Sequence, residues 1–497
     1  NNDWIIPSST INSSKALFIN YHNSLLPKYA GLYASNWSIF NKEQKHGVSW
    51  HLITDSIDAG HICQSMPCAI EPNESAFSLN LKCFDLAVQS FEKLLIDIEQ
   101  NNLKPTEQEL SQRSYFGRAM RPNRFCELLF DVDAQSIYSL CKSTEYGDAI
   151  YNDFGLPRLI IDNFLYLVPK ITILPEHSKL SAGQICSVDD RGIAISTNTN
   201  IILITALLDA FGSTADLVNF AKKHSISSGY QFKPYGQFID EKVFSQIFKN
   251  EVFWLNELLD FKPHYILPHN QQTVSNDGRL FKTHSTNFDK IIPLVKPHQK
   301  LWNQFHDTIL AAVSLFLARW VDADELNLCV CFEKQSTCLT SSFVPVKLGF
   351  NPNSTVLNQL ESVVNLIEGY KRKGSFFIDL FARHPELRKP EHGKHFLASS
   401  LAISCGYGLP DYSSFKALGL LIHIDLETTQ VVFHSCFHQG PFSASYLVAH
   451  FENFLLQAFS ADPLVKNLQM LLPDERTSVV KNTLSGIGSA HKATVIE

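Results

Sequence analysis

Asn20-Tyr21-His22-Asn23-Ser24-Leu25-Leu26-Pro27 is the stretch on which the fold turns. It overlaps the end of a short apolar run, residues 16–20, so it falls where a first strand gives way to a loop. In open α/β sheets, ligands gather at the carboxyl ends of strands. Asn20 and His22 are two apart, and an extended backbone sends both side chains to one face. Further strands are expected over 48–53 and 62–68. Between them, Ser56-Ile57-Asp58-Ala59-Gly60 is a turn sequence able to lift a carboxylate over the same edge. An Asn or His at a strand end also serves to tie down a loop, and Asp58 also serves as an ordinary turn residue. The residues by themselves leave both roles open.

Working outward, the apolar positions Leu81, Phe84, Val88, Phe91, Leu95 and Ile98 alternate steps of three and four. The spacing predicts a long helix from Phe77, capped by Asn73 or Ser75, whose apolar stripe covers one side of a sheet. Residues 101–112 turn polar, with Pro105 inside, and read as a linker. From 115 to 220, short strand-like runs (159–161, 165–168, 193–195) separated by Gly and Asp turns predict a small mostly-β domain. A polar patch at 222–231 leads into a mixed third domain with helices near 251–259, 301–320 and 445–459.

The whole chain has 497 residues, enough for two to four domains, with 45% hydrophobic and 18% charged residues, the balance of an ordinary globular protein. The run 309–318 contains Ser314, is bounded by Asp307 and Arg319, and is too short to cross a bilayer; it predicts a buried helix. The first residues lack the features of a signal peptide, so a cytoplasmic location is expected. Eleven cysteines without a CxxC pair predict reduced, buried thiols and no metal; Cys329 and Cys331 are spaced for one face of a strand. A net charge of −7 gives no electrostatic case for nucleic acid or an anionic membrane.

The string Asn20-x-His22-x-Ser24-Leu25-Leu26-Pro27, followed 38 residues after Asn20 by Asp58 in an Ile-Asp-x-Gly turn, resembles the signature of the folate-dependent, methionyl-tRNA formyltransferase-like family. The resemblance implies a catalytic triad of Asn20, His22 and Asp58, with 10-formyltetrahydrofolate as co-substrate. It extends to residues 47–51 and 58–62, which look like the strand and turn flanking the site. It also takes in Phe116-Gly117-Arg118 and Ser181-Ala182-Gly183-Gln184-Ile185, which resemble pieces of the family's trailing β-barrel. The chemistry suits such residues. An amine attacking a formyl carbon creates a negative oxygen and a positive nitrogen, so the site needs a donor and a proton acceptor. Asn20 and His22 suit the oxyanion, while Asp58 would fix the imidazole and help take the proton.

Two departures from the family pattern shape the expectation. Where many members have Arg-Gly after Leu-Leu-Pro, this chain has Lys28-Tyr29-Ala30-Gly31, with Tyr33, Asn36 and Trp37 nearby, and is most similar to the formylation domains of nonribosomal peptide synthetases. Only 19 residues precede Asn20, where the family normally has a βαβ half, so the catalytic domain is expected to start midway. The implied fold is α/β, the second half of a Rossmann-like formyltransferase domain (1–103), then a small OB-like β-barrel (104–225). An α+β lobe resembling part of a condensation domain (226–480) and a linker (481–497) complete it. The lobe resemblance rests on Phe253-Trp254-Leu255, Leu258, Leu267-Pro268, 310–320, 442–456 and Leu471-Leu472-Pro473-Asp474-Glu475; the catalytic His-His motif is absent from the sequence, and Asp277-Gly278 stands in a turn.

Between residues 101 and 225 there are 12 Lys plus Arg against 14 Asp plus Glu, a net of −2, which disfavours transfer RNA. The expected amine is an aminoacyl group on the phosphopantetheine arm of a carrier protein, beside an adenylation domain. One alternative is a nucleotide-linked amino sugar, which predicts a pocket beside Tyr33 and Trp37. The other is an inactive fragment or docking module. His46, His51 and His61 read as structural or solvated.

Overall fold

In the computed structural model the chain divides into two units, residues 1–249 with 378–385, and 250–377 with 386–497. The residues described are 6–147, 150–177, 179–235, 241–264, 281–332, 337–389, 394–412, 415, 418–437 and 439–477. Leu267-Pro268, Asp277-Gly278 and the linker 481–497 lie outside them.

In the first unit, β1 (Ile19–His22) pairs antiparallel with β3 (Lys45–Leu52), and β3 with β4 (Ile62–Ala69). The two-residue strand β2 (Ala30–Gly31) lies parallel to β5 (Tyr115–Phe116). The expected helix runs Ala76–Glu99. Ser75 caps it by accepting from the Ser78 amide, and the Ser78 hydroxyl accepts from the Ser75 amide in return.

Its orientation corrects the sequence reading. Leu81, Phe84, Val88, Phe91, Leu95 and Ile98 are not its buried face; they are 38–67% exposed, with Phe91 reaching Trp50 of β3. Ala76, Leu79, Cys83, Ser90 and Leu94 are buried instead, and the first three share a core with Ile39 and Val48. Small side chains decide this, because they let the helix backbone approach the strands closely. The Cys83 thiol reaches the Gly47 carbonyl, Tyr21 Oη donates to the Cys83 carbonyl (3.4 Å), and Trp50 Nε1 donates to Ser90 Oγ (2.9 Å). At Gly47 a Cβ would stand 2.3 Å from the Met66 carbonyl oxygen.

The mostly-β region forms one antiparallel sheet of β6 (Arg158–Ile161), β7 (Phe164–His177), β8 (Ile185–Asp189), β9 (Gly192–Ser196) and β10 (Asn200–Asp209), in the order β6-β7-β10-β9-β8. The expected closed barrel does not form, since β6 and β8 are the two edges and no pairing joins them among the described residues. The helix Ala134–Ser143 packs on the sheet, with Ile137 and Leu140 in one buried core with Ile161, Val168 and Ile202. Residues 378–385 belong to this unit through a buried ion cluster. Asp379 accepts from Arg158 Nε (3.0 Å) and Nη2 (2.7 Å) and from Arg383 Nε (3.3 Å). Burial alone would raise the Asp379 pKa, but the two guanidinium groups outweigh it and hold the carboxyl below its ordinary value.

The second unit carries a mixed six-stranded sheet built from β11 (Lys282–Asn287), β12 (Glu325–Cys331), β13 (Val344–Gly349), β14 (Leu401–Gly406), β15 (Leu420–Asp425) and β16 (Gln430–Ser435). Its order is β11-β16-β15-β14-β12-β13, with β14 parallel to both neighbours. The apolar run near 309–318 lies in the helix Phe305–Trp320 and is buried, as its composition predicts. Glu251–Asp260 and Ala444–Ala461 are helices at the expected places. Among the described residues no helix is long and apolar enough to cross a membrane.

Candidate active site

β1 carries Asn20 opposite His51 and His22 opposite Ser49 on β3. The loop after it is closed by hydrogen bonds to both neighbours. Ser49 Oγ donates to the Ser24 carbonyl (2.7 Å) and accepts from the Leu26 amide (3.1 Å), while Ser24 Oγ donates to the Lys28 carbonyl (2.7 Å). The Tyr29 amide donates to Ser114 Oγ (2.8 Å) and the Ala30 amide to the Ser114 carbonyl (2.9 Å). The loop therefore returns under β1 and brings two backbone groups to the site.

The first is the Tyr29 carbonyl, 2.8 Å from His22 Nε2. A carbonyl only accepts, so Nε2 carries a proton and Nδ1 is the nitrogen left for chemistry. Nδ1 faces Asp58 Oδ2 at 3.5 Å. The second is the Gly31 amide, which donates to the same Oδ2 at 2.8 Å. Gly31 sits at φ +94°, and a Cβ there would stand 2.3 Å from the Phe116 carbonyl oxygen, so no other residue type fits without displacing backbone. Asp58 itself has φ +50°. Gln108 Nε2 holds its turn by donating to the Asp58 carbonyl (3.0 Å) and the Gly60 carbonyl (2.6 Å).

The structure thus brings Asn20, His22 and Asp58 together and adds His51, which the sequence reading had set aside. His51 Nδ1 lies 2.9 Å from the Leu52 carbonyl and must donate there, which aims Nε2 at Asp58 Oδ1 (3.4 Å) and Asn20 Nδ2 (3.4 Å). The signal available in sequence was its period-two spacing from Ser49 on an expected strand; the pairing with Asn20 needed the register. Gln108 and Ser114 were hidden in the apparent linker and just after it. Phe116, assigned by resemblance to the trailing domain, pairs with β2 and stacks on Trp37 at 4.4 Å. His61 is exposed, and His46 is buried with Nε2 lacking a hydrogen-bond partner among the described residues.

Burial dominates the electrostatics. It lowers the His22 pKa below 6.5, with Asp58 and the Tyr29 carbonyl opposing it only in part, so the imidazole rests neutral. Burial also acts to raise Asp58, but the His51 and His22 rings and the Gly31 amide outweigh it and the carboxyl lies below its ordinary value. The pair is an ionised carboxylate facing an imidazole lone pair, an arrangement that lacks one proton. A proton delivered to Nδ1 would satisfy both nitrogens at once, one on Asp58 and one on Tyr29. Asn20 Nδ2 is the amide donor at the mouth of this pair.

Tyr33, Asn36 and Trp37 are engaged by the protein. Asn36 donates to the Ser143 carbonyl (2.7 Å) and accepts from Tyr146 Oη (2.9 Å), and Trp37 is enclosed by Phe40, Phe116 and Phe154. Trp37 therefore has no free face for stacking a base. Among the described residues, no group of three or more His, Cys, Asp or Glu is arranged to hold a metal.

Residues 4–95 match the Formyl transferase family. A methionyl-tRNA formyltransferase of Clostridioides difficile (strain 630) is 27% identical over 201 residues, 40% of this chain and 62% of the relative. Another, of Clostridium novyi (strain NT), is 24% identical over 204 residues, with the same coverage. The crystal structure of an N-formyltransferase from Helicobacter canadensis, in complex with folinic acid and dTDP-3-aminofucose, is 24% identical. That match covers 38% of this chain and 65% of that one, with a TM-score of 0.32. The chain spans about 62% of the length of the curated relatives it matches. The segment that is similar to the formyl transferases is the one that holds Asn20, His22 and Asp58.

Proposed function

We propose that this chain transfers a formyl group from 10-formyltetrahydrofolate to an amine, with Asn20, His22 and Asp58 at the reacting centre. The observation that carries this reading is the His22 and Asp58 pair, which is short of one proton and lies within the segment matching the formyl transferases. The neutral amine attacks the formyl carbon, forming the new C–N bond and a tetrahedral oxyanion. Asn20 Nδ2 donates to that oxygen. The proton leaving the amine is taken by the Asp58 carboxylate and settles on His22 Nδ1, where Asp58 and the Tyr29 carbonyl stabilise the imidazolium. Collapse of the intermediate breaks the bond to the folate nitrogen, and the same proton goes to that nitrogen as tetrahydrofolate departs. His51 and Gly31 keep Asp58 ionised and aimed.

The acceptor we infer is an aminoacyl group on the phosphopantetheine arm of a carrier protein, with the second unit as the condensation-like scaffold and the sheet of the first as the counterpart of the OB-like domain. The resemblance of the Lys28-Tyr29-Ala30-Gly31 segment supports it, as do the net −2 over residues 101–225 and the enclosure of Trp37. Among the described residues none of the eleven cysteines forms a disulfide, which supports a cytoplasmic setting. The test is transfer of labelled formyl from 10-formyltetrahydrofolate to an aminoacyl carrier protein, beside His22→Ala and Asp58→Asn. Transfer that both substitutions abolish supports the reading. Transfer to a nucleotide-linked amino sugar instead would replace the acceptor, and no transfer to any amine would leave a docking module.

A further inference from the structure

The helix Ala76–Glu99 is apolar on two faces; the sheet buries one and touches the other at Phe91 through Trp50. On the other, Leu81, Phe84, Val88, Phe91, Leu95 and Ile98 remain 38–67% exposed. They are separated by 3, 4, 3, 4 and 3 residues, the a and d positions of a heptad repeat, and form a seam about 27 Å long at 1.5 Å per residue. Contiguous apolar surface of this kind on a soluble chain marks a contact site. Behind the seam the helix is capped at its start and tied to β3 by the Trp50 to Ser90 bond, and Trp50 packs on Phe91 at 5.1 Å.

Its borders say what fits. The e positions of the same heptad are Asp85, Glu92 and Glu99, all exposed and all acidic. The g positions Asn80, Ala87 and Leu94 lie toward the packed side, with Leu94 buried and Asn80 bonded to Asn23 and Ser35. A second copy laid antiparallel would set its acidic row against this one, and a parallel copy would offer the acids only Asn80, Ala87 and Leu94, none of them a cation. An anionic bilayer is opposed by the same row. We propose that this face docks an amphipathic partner helix with its own three-four apolar repeat and Lys or Arg along the flank. The apolar seams supply the affinity, and the flanking charges choose the partner and its register.

The test uses the whole chain and two synthetic helix-forming peptides of about three heptads, identical at the apolar positions and carrying either Lys or Glu on both flanks. Fluorescence anisotropy should show the Lys-flanked peptide binding at least about tenfold more tightly than its Glu twin, with the difference shrinking as salt rises. Phe84→Glu with Val88→Glu should abolish binding while circular dichroism and the thermal midpoint stay unchanged; the milder Val88→Ser should weaken it several-fold. Three outcomes would overturn the proposal. These are equal binding of both peptides, binding unaffected by the substitutions, and a concentration-dependent dimer in sedimentation that Val88→Glu dissolves.

Discussion

The loop from Asn20 to Gly31 and the helix Ala76–Glu99 belong to the same unit and are finished to different degrees. In the loop, His22 and Ser24 have partners within it and Ser49 closes it from β3. The helix leaves seven large apolar side chains in solvent, the six of the seam and Ile96. The difference follows from what each kind of group loses when left alone. A buried polar group without a partner costs about 1–3 kcal/mol, so a polar site has to be satisfied locally or the loop does not fold. An exposed apolar side chain only forgoes a gain of about 1.5–3 kcal/mol, so a helix can stand with one face uncovered. Chemistry can thus be assembled where packing is not complete.

That contrast can be broken in four ways, from the largest effect to the smallest. Asp58→Asn should lower formyl transfer by about 10²–10⁴-fold while leaving the thermal midpoint close to wild type, because the amide keeps the shape and loses the charge that stabilises protonated His22. A loss of folding instead would show the carboxylate to be structural. Leu79→Ala, on the buried face of the helix, should cost about 2–5 kcal/mol in denaturant unfolding. A smaller figure would mean that the helix is less firmly seated than the small-residue face indicates.

Acid should act next. Burial lowers His46 from 6.5 to about 4, so the folded state holds it neutral while the unfolded chain takes up a proton as pH falls below 6.5. The folded state binds fewer protons in that window, and stability is therefore lost between about pH 6.5 and 4, by roughly 3 kcal/mol from this group. His46→Gln should flatten that part of the pH profile, and an unchanged slope would place the acid sensitivity elsewhere. Last, Val88→Ala on the exposed seam should shift stability by no more than about 0.5 kcal/mol. A drop near that of Leu79→Ala would show the seam to be covered.

How far the sequence carried these conclusions differs between the same two regions. Asn20, His22 and Asp58 stood out at a strand end and in a turn, but their residue types left a structural role equally open there, and their part in the site rests on the resemblance to the formyltransferases. The helix was legible from its spacing, with Asn73 or Ser75 as its cap, and the structure selects Ser75. Which face of the helix is buried was not, since both faces repeat at helical spacing and the larger residues pointed the wrong way; Gly47, Cys83 and Ser90, chosen for close approach, gave no hydrophobic signal. His51 entered the site only through strand register. The Tyr29 carbonyl and Gly31 amide are backbone groups, invisible to any reading of side chains, and Gln108 sits in a segment whose polarity resembles a linker.

The brace formed by Gln108, Ser114 and Phe116 has one further consequence. Residues 101–104 separate the stretch that bears the reacting groups from the stretch that fixes them. A nick there would divide the unit into two complementing halves, one with the triad but a slack Asp58 turn, the other with the brace and no chemistry. The site would then behave as a split reporter, silent in either half and restored when the strands Ala30–Gly31 and Tyr115–Phe116 find each other again.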